Sequence, residues 1–104
     1  MKKENFEINN LQDERQTLSG YIYSYKGRMF AIDYRNTGFF SEWISTDLIS
    51  GFRIASNVDK KAMLSKTLQG ISEGEIPKRI KQVQEKYSLD LPVNDLSKFK
   101  PKYL

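Results

Sequence analysis

The chain has 104 residues, of which 38% are hydrophobic and 29% charged, and its 17 Lys and Arg outnumber its 13 Asp and Glu to give a net charge of +4. This length fits one domain with a modest core, and a 12% aromatic content argues against disorder. The absence of Cys and His excludes disulfides, thiolate nucleophiles, zinc sites built on Cys or His, and the usual proton-transfer side chain. No apolar run suits a signal peptide or a membrane span, so we expect a soluble cytoplasmic protein without a membrane partner.

The N-terminal segment is mostly polar. Apart from Met1, the large apolar residues within positions 1–17 are Phe6, Ile8 and Leu11. We therefore expect a mobile arm or a short, weak helix at 1–17, a folded core at 18–88 and a tail at 89–104, all in a single small domain.

Residues 20–55 alternate with the two-residue period of antiparallel strands. Lys26-Gly27 is a candidate two-residue turn, because glycine readily adopts a positive φ angle. The alternation and the turn residues predict three or four antiparallel strands. Their expected bounds are 21–25, 28–34, 39–46 and 52–55, with a further turn at 35–38.

The period changes to that of helices near Ser56. The segment from Ser56 to Asp59 has the spacing of a capping box, and a helix over about 58–69 follows. A second helix is predicted over about 76–88, because Pro77 suits a first turn and an apolar stripe follows. Leu64, Leu68 and Ile71 form one face of helix one, and Ile76, Ile80, Val83 and Tyr87 form the stripe of helix two.

Strands followed by helices define an α+β class. We expect helix one to cover one face of the sheet, helix two to dock beside it, and residues 89–104 to form an extended tail with a turn near Asn94 and Asp95, since Pro92 and Pro101 disfavour a helix there.

Three tyrosines share one face of the first predicted strand. A turn at Lys26-Gly27 pairs Tyr25 with Arg28 and Tyr23 with Phe30, which places these tyrosines on the face that needs burial. We favour a helix-covered core with hydroxyls at its rim over a platform for stacking bases. Trp43 is the only tryptophan, and it fits either the core or a partner contact.

Carboxylates offer little support for catalysis. Asp33, Glu42 and Asp47 fall near strand ends, where they could converge as an acid pair or metal site. The sequence has neither a glycine-rich phosphate loop nor a nucleophile motif. We therefore expect no enzyme activity, cofactor or metal.

The positive charge is concentrated in the C-terminal half. Residues 1–57 have 7 basic and 7 acidic residues, whereas residues 58–104 have 10 and 6. Lys60 and Lys61 oppose the dipole of helix one, so they are not placed for helix stability and are candidates for holding a phosphate. With Lys78, Arg79 and Lys81 of helix two, they form the candidate nucleic-acid surface.

Residues 51–62 carry two resemblances. A final strand, a polar turn and a helix that opens with Lys60, Lys61 and Ala62 look like the end of a double-stranded-RNA-binding domain, which implies phosphate contacts by these lysines and a helix before the strands. Met63, Leu64 and Thr67 depart from that pattern. The same stretch is similar to the strand-then-helix core of HicB-like antitoxins and to small proteins of phages and conjugative elements, many of which bind another protein.

The leading hypothesis from these patterns is a non-catalytic binding or accessory protein, with a phage or another mobile element as a suggested origin. Its partner would be a protein, identity unknown, with Trp43, Tyr25 and Arg28 as the contact residues, assisted by an exposed sheet face or the tail. The alternative is a nucleic-acid-binding module that uses the basic helix residues. A helix-turn-helix within 58–88 is a weaker third hypothesis, because its turn is long. The sequence leaves homo-oligomers open.

Overall fold

Antiparallel strands run in chain order across the sheet and are followed by two helices. The computed structural model describes residues 1–9, 15–36, 38–87 and 90–104. The strands are β1 (Glu4–Asn9), β2 (Arg15–Tyr25), β3 (Arg28–Asn36), β4 (Ser41–Asp47) and β5 (Arg53–Asn57), and the helices are α1 (Lys60–Ser72) and α2 (Glu75–Tyr87). A short 3-10 helix (Leu96–Lys98) and strand β6 (Lys102–Tyr103) follow. The α+β class and the strands-then-helices order are confirmed.

The hairpin of β2 and β3 has the predicted register. Tyr25 lies opposite Arg28, Tyr23 opposite Phe30 and Tyr21 opposite Ile32. Lys26 and Gly27 both have positive φ angles, 49° and 78°, as the tight turns that match the twist of paired strands require.

The prediction of an arm or weak helix for residues 1–17 is wrong where the structure describes them. Glu4–Asn9 pairs with the first part of β2, which begins at Arg15. Phe6 is buried, whereas its neighbours are not. Only two apolar side chains of this strand, Phe6 and Ile8, pack on the core, and two alternating residues are too short a pattern to predict a strand. Leu11 of the predicted arm lies outside the described residues.

α1 packs on the sheet face that carries the tyrosines, as predicted. Phe30, Ile32, Ala55 and Met63 form the buried cluster there, and Tyr23 and Tyr25 pack against it. The ring centroids of Tyr23 and Phe30 are 5.8 Å apart. Tyr23 and Tyr25 are therefore part of the helix-covered core rather than an open stacking surface.

The predicted helical face is rotated relative to the real one. Met63 and Thr67 are fully buried, whereas Leu64, Leu68 and Ile71 are half-buried around them. Thr67 can be buried because its hydroxyl lies 2.6 Å from Ser45 Oγ and donates to the Met63 carbonyl. The helix also starts later than expected, since Asp59 rather than Ser56 is the N-cap and accepts from the Lys61 amide.

The second sheet face is covered rather than exposed, contrary to our expectation. Phe6, Ile22, Ala31 and Leu48 form a separate buried cluster there. Leu96 and Phe99 of the tail pack against this cluster, because the tail runs across this face. Residue 89 of the predicted tail and residue 88 of the predicted second helix lie outside the described residues.

Asn94 fastens the tail to this second face. Its side chain accepts from the Glu7 amide and donates to the carbonyls of Glu7 and Leu48, at 2.8 to 2.9 Å. β6 then pairs in parallel with β2 at Tyr23 and Ser24. One buried amide thus joins β1, the end of β4 and the tail.

Candidate functional site

A group of aromatic residues lies at the end of the sheet where β3 ends and β4 begins. Tyr34 and Trp43 face each other across these strands, and their ring centroids are 5.0 Å apart at a tilt of 54°. Asn57, the last residue of β5, pairs with Trp43 from the other side, so the start of α1 also lies here. The end of β3, the start of β4, the end of β5 and the start of α1 therefore lie close together.

Trp43 combines both interpretations that the sequence left open. It is half-buried and packs against the α1-side cluster, while Ile44 is buried on the opposite face. The Lys60 ammonium lies over its ring, 4.8 Å from the centroid. This cation–π contact explains why a lysine is acceptable in the first turn of α1 despite the helix dipole.

Several apolar side chains at this end are open to solvent. Tyr34 is 59% exposed, Phe40 55% and Val58 66%, and Phe39 is fully exposed. Phe39 and Phe40 precede β4, which begins at Ser41 rather than at Phe39 as predicted. Isolated exposed apolar residues are ordinary, but a concentration of this kind is typical of a contact surface. We call the set Tyr34, Phe39, Phe40, Trp43 and Val58 the aromatic end.

Tyr25 and Arg28, the other predicted partner-contact residues, lie elsewhere. They flank the β2–β3 turn, and β3 separates Arg28 from Tyr34 by about 20 Å. Arg28 donates to both carboxylate oxygens of Asp47 at 2.7 and 3.0 Å, and the Tyr25 hydroxyl is 3.3 Å from Ser72 Oγ. The structure thus does not bring Tyr25 and Arg28 to Trp43, and both make internal contacts.

The predicted carboxylates do not assemble into one site. Asp33 pairs with Arg35 on its own strand, and Glu42 lies 3.6 Å from Arg53. Asp47 lies opposite Phe30 on the α1 side, whereas Asp33 and Glu42 belong to the other face by strand alternation. Among the residues described, no group of three acidic side chains is arranged to hold a metal ion.

The predicted basic residues are divided between two regions. Lys60 and Lys61 are at the start of α1, beside Trp43. Lys78, Arg79 and Lys81 are on α2, whose Arg79 and Ile80 lie next to the start of β5 instead. Arg79 lies 3.3 Å from both Glu75 and the Ile54 carbonyl oxygen. The two groups do not form one basic face.

The aromatic end was largely missed by reasoning from the sequence, except for Trp43. One signal was available: Phe39 and Phe40 are adjacent, and neighbouring residues of a strand point to opposite faces. Two consecutive phenylalanines directly after a turn therefore cannot both enter the same core. Val58 was placed in the helix, but it precedes the N-cap and is exposed.

Comparisons with known proteins found no relative of this chain. No family model matches it, and searches of curated proteins and of solved structures return no significant match. The double-stranded-RNA-binding resemblance also implies a helix before the strands, whereas residues 4–9 form a strand. In the described part of the chain, no helix has the length and apolar character needed to cross a bilayer.

Proposed function

We propose that this protein is a non-catalytic binding protein that contacts a protein partner through its aromatic end. The observation that supports the proposal most is the concentration of exposed large apolar side chains on Tyr34, Phe39, Phe40 and Val58 around a half-buried Trp43. Aromatic anchors dominate protein interfaces, since they bury a large area and lose little conformational entropy on binding. The rest of the surface offers no comparable aromatic group in the described residues.

The chemistry of the aromatic end favours a partner surface of defined character. Lys60 lies over the Trp43 ring, Lys61 follows it in the first turn of α1, and Asp59 is engaged as the N-cap of that helix. A partner that presents apolar side chains next to Asp or Glu would complement both features. The mild positive charge of the chain would also speed the encounter with such a partner.

Single-stranded nucleic acid is the second candidate, because exposed rings beside Lys60 and Lys61 are the components of base-stacking sites. The geometry supports it less well. Tyr34 and Trp43 are tilted by 54° and offer no parallel slot, and the Lys60 ammonium already lies over the Trp43 ring. The basic residues of α2 lie away from the aromatic end.

The experiment compares three forms of the full chain as bait in extracts of the native host. In the first variant, Phe39→Ser is combined with Val58→Ser. The matched control is Tyr103→Ser, which removes an exposed aromatic side chain in β6. We expect a protein that the unmodified chain and the control retain and that the double variant loses, with affinity for the purified partner falling about thirtyfold or more.

Salt and nuclease treatment separate the two candidates. A protein interface of this kind should survive nuclease and weaken only modestly between low and moderate salt, whereas phosphate contacts weaken steeply. If the double variant binds as the control does, or if nuclease releases all bound material, the proposal of a protein partner through the aromatic end fails.

A further inference from the structure

An apolar cleft lies between α2 and the start of β5, away from the aromatic end. Its volume is about 320 Å³, and its apolar walls are Phe52 and Ile54 on the sheet side and Ile76, Ile80 and Val83 on α2. We refer to these five residues as the α2 cleft. It has no part in the function proposed above, and none of its residues belongs to the aromatic end.

The cleft exists because α2 is only partly docked. Its apolar stripe runs along one face at helical spacing, but only Ile76 is buried, whereas Ile80 and Val83 are half-buried. Ile76 packs next to Gly70 of α1, where a Cβ atom would lie 3.7 Å from the Ile76 Cδ1 atom. The stripe continues beyond this contact, so the next turn of α2 leaves an apolar surface facing Phe52 and Ile54.

Cations border the cleft. Arg53 and Arg79 are among its lining residues, and their side chains are about half exposed. Each has one acidic neighbour, Glu42 at 3.6 Å and Glu75 at 3.3 Å. The Arg79–Glu75 pair is exposed on both sides and contributes little, so the Arg79 guanidinium can exchange Glu75 for a ligand carboxylate. Arg53 keeps Glu42, whose side chain is only 13% exposed, and its own half-exposed guanidinium can accept a second carboxylate partner.

The acidic residue of the lining does not oppose such a ligand. The Asp47 carboxylate is buried, accepts two hydrogen bonds from Arg28, and also accepts from the Ser50 amide and hydroxyl. Its charge is therefore balanced inside the fold, whereas the charges of Arg53 and Arg79 face solvent.

We propose that the α2 cleft binds a segment of a partner protein in which two or more large apolar side chains are flanked by Asp or Glu. The apolar side chains would fill the space beside Ile80 and Val83, and the carboxylates would pair with Arg53 and Arg79. This is a second docking site, distinct from the aromatic end.

A second copy of this chain fits the cleft poorly. A symmetric pairing of two clefts would bring Arg53 and Arg79 of both copies into one interface. Like charges in facing positions are unfavourable, and the chain as a whole has a net charge of +4. Charge complementarity therefore favours an acidic partner over self-association.

The test uses two synthetic amphipathic peptides and the full chain. Both peptides place leucines at the same helical spacing, and their flanking residues are all Glu in one and all Lys in the other. Isoleucine methyl groups of the protein report binding by NMR. We expect the Glu peptide to shift the methyl signals of Ile54, Ile76 and Ile80 and to bind about tenfold more tightly than the Lys peptide.

Two variants test the two parts of the proposal. The double variant Arg53→Glu, Arg79→Glu should bind the Lys peptide more tightly than the Glu peptide. Ile80→Gln should lower the affinity for both peptides at least tenfold. The methyl spectrum of each variant verifies that it is folded. Lys61→Glu is the matched control, because it changes an exposed charge at the other end of β5, and it should leave Glu-peptide binding at the cleft unchanged.

Equal affinity for the two peptides, shifts confined to other isoleucines, or no binding at millimolar peptide would overturn the proposal. If the methyl signals of Ile54, Ile76 and Ile80 shift with protein concentration in the absence of peptide, the occupant of the cleft is a second copy of the chain. That result would equally overturn the proposal. The outcome is separable from that of the aromatic end, since the Phe39→Ser, Val58→Ser variant should still bind the Glu peptide.

Discussion

At the scale of single residues, Gly20 determines how the N-terminal strands join the sheet. β2 pairs with β1 up to Gly20 and with β3 from Tyr21 onward. A Cβ atom at position 20 would lie 2.5 Å from the Ile32 carbonyl oxygen and 3.0 Å from the Phe6 ring. The strand can change partners here only because the backbone of β3 approaches an unsubstituted Cα atom.

We predict that Gly20→Ala lowers the free energy of unfolding by about 1–3 kcal/mol, because the added methyl group overlaps backbone that cannot move away without breaking strand pairing. Urea denaturation measures the change. Gly27→Asn is the control: Gly27 has open space around it and a positive φ angle that asparagine tolerates, so this variant should stay within about 0.5 kcal/mol. Equal losses for both variants would contradict this account.

Single buried hydroxyls also connect elements. Ser45 Oγ accepts from the Ala55 amide in β5 and lies 2.6 Å from the Thr67 hydroxyl in α1. The register of β4 and β5 shifts between Ser45 and Thr46, and the Ser45 hydroxyl binds the backbone of Ala55 at this irregularity. A polar residue at a core position is therefore required by the local break in the ladder.

At the scale of elements, the 3-10 helix in the tail depends on one exposed cap. Asp95 accepts hydrogen bonds from both the hydroxyl and the amide of Ser97. These bonds lower the pKa of Asp95 below its ordinary value of 3.8, and the bond from the Ser97 hydroxyl has the largest effect. A lowered pKa in the folded state means that the cap stabilises the folded tail fully above pH 3.8 and loses its effect as the pH falls through the folded-state pKa.

We therefore predict that acid loosens the tail locally through Asp95. NMR of the Ser97 amide should show a titration whose midpoint lies below pH 3.8, because protonation removes the charge that both hydrogen bonds favour. In Asp95→Asn this step should disappear while the other amide titrations persist. A Ser97 titration that survives the substitution would assign the effect to another group.

The two helices differ in how strongly the sheet holds them. α1 inserts Met63 and Thr67 fully into the core, whereas α2 buries only Ile76 among its described side chains. Helix stability in proteins comes mainly from tertiary packing, so α2 is the element that a partner can reinforce most. This difference is the physical basis for placing a docking site on α2 rather than on α1.

At the scale of the whole molecule, one sheet supports two separate apolar clusters. The α1 side contains Phe30, Ile32 and Met63, and the other side contains Phe6 and Ile22 beneath the tail. Neighbouring residues of the same strands, such as Ile22 and Tyr23, serve opposite clusters. Loss of α1 from one face, or of the tail from the other, would therefore weaken the strands on which the remaining cluster depends.

We predict that deleting residues 90–104 costs more than about 3 kcal/mol of stability, since it removes Leu96, Phe99 and the three hydrogen bonds of the Asn94 side chain. Thermal unfolding followed by circular dichroism measures it, with Leu96→Ala and Phe99→Ala as a milder form. Phe39→Ser is the control and should leave the unfolding temperature unchanged, because this side chain is fully exposed. Unchanged unfolding of the shortened chain would show that the tail is dispensable.

Much of the fold was predictable where the signal is local. Turn chemistry at Lys26-Gly27 correctly gave the pairing of Tyr23 with Phe30, because a two-residue turn leaves one register. The helix start was misjudged by about two residues, since Ser56 and Asp59 both suit a cap and only packing selects between them. Trp43 was singled out, but its exposed neighbours Phe39 and Phe40 were assigned to a strand.

The sequence by itself determined the central strands β2 to β5, the two helices and their order, because alternation, turn residues and helical spacing act between near neighbours. Only the tertiary structure decided that β1 and the tail cover the second sheet face, that the aromatic end gathers Tyr34, Trp43 and Val58, and that α2 leaves a cleft. These features join residues far apart in the chain, such as Glu7 and Asn94, and such contacts depend on shape and burial that no local pattern encodes.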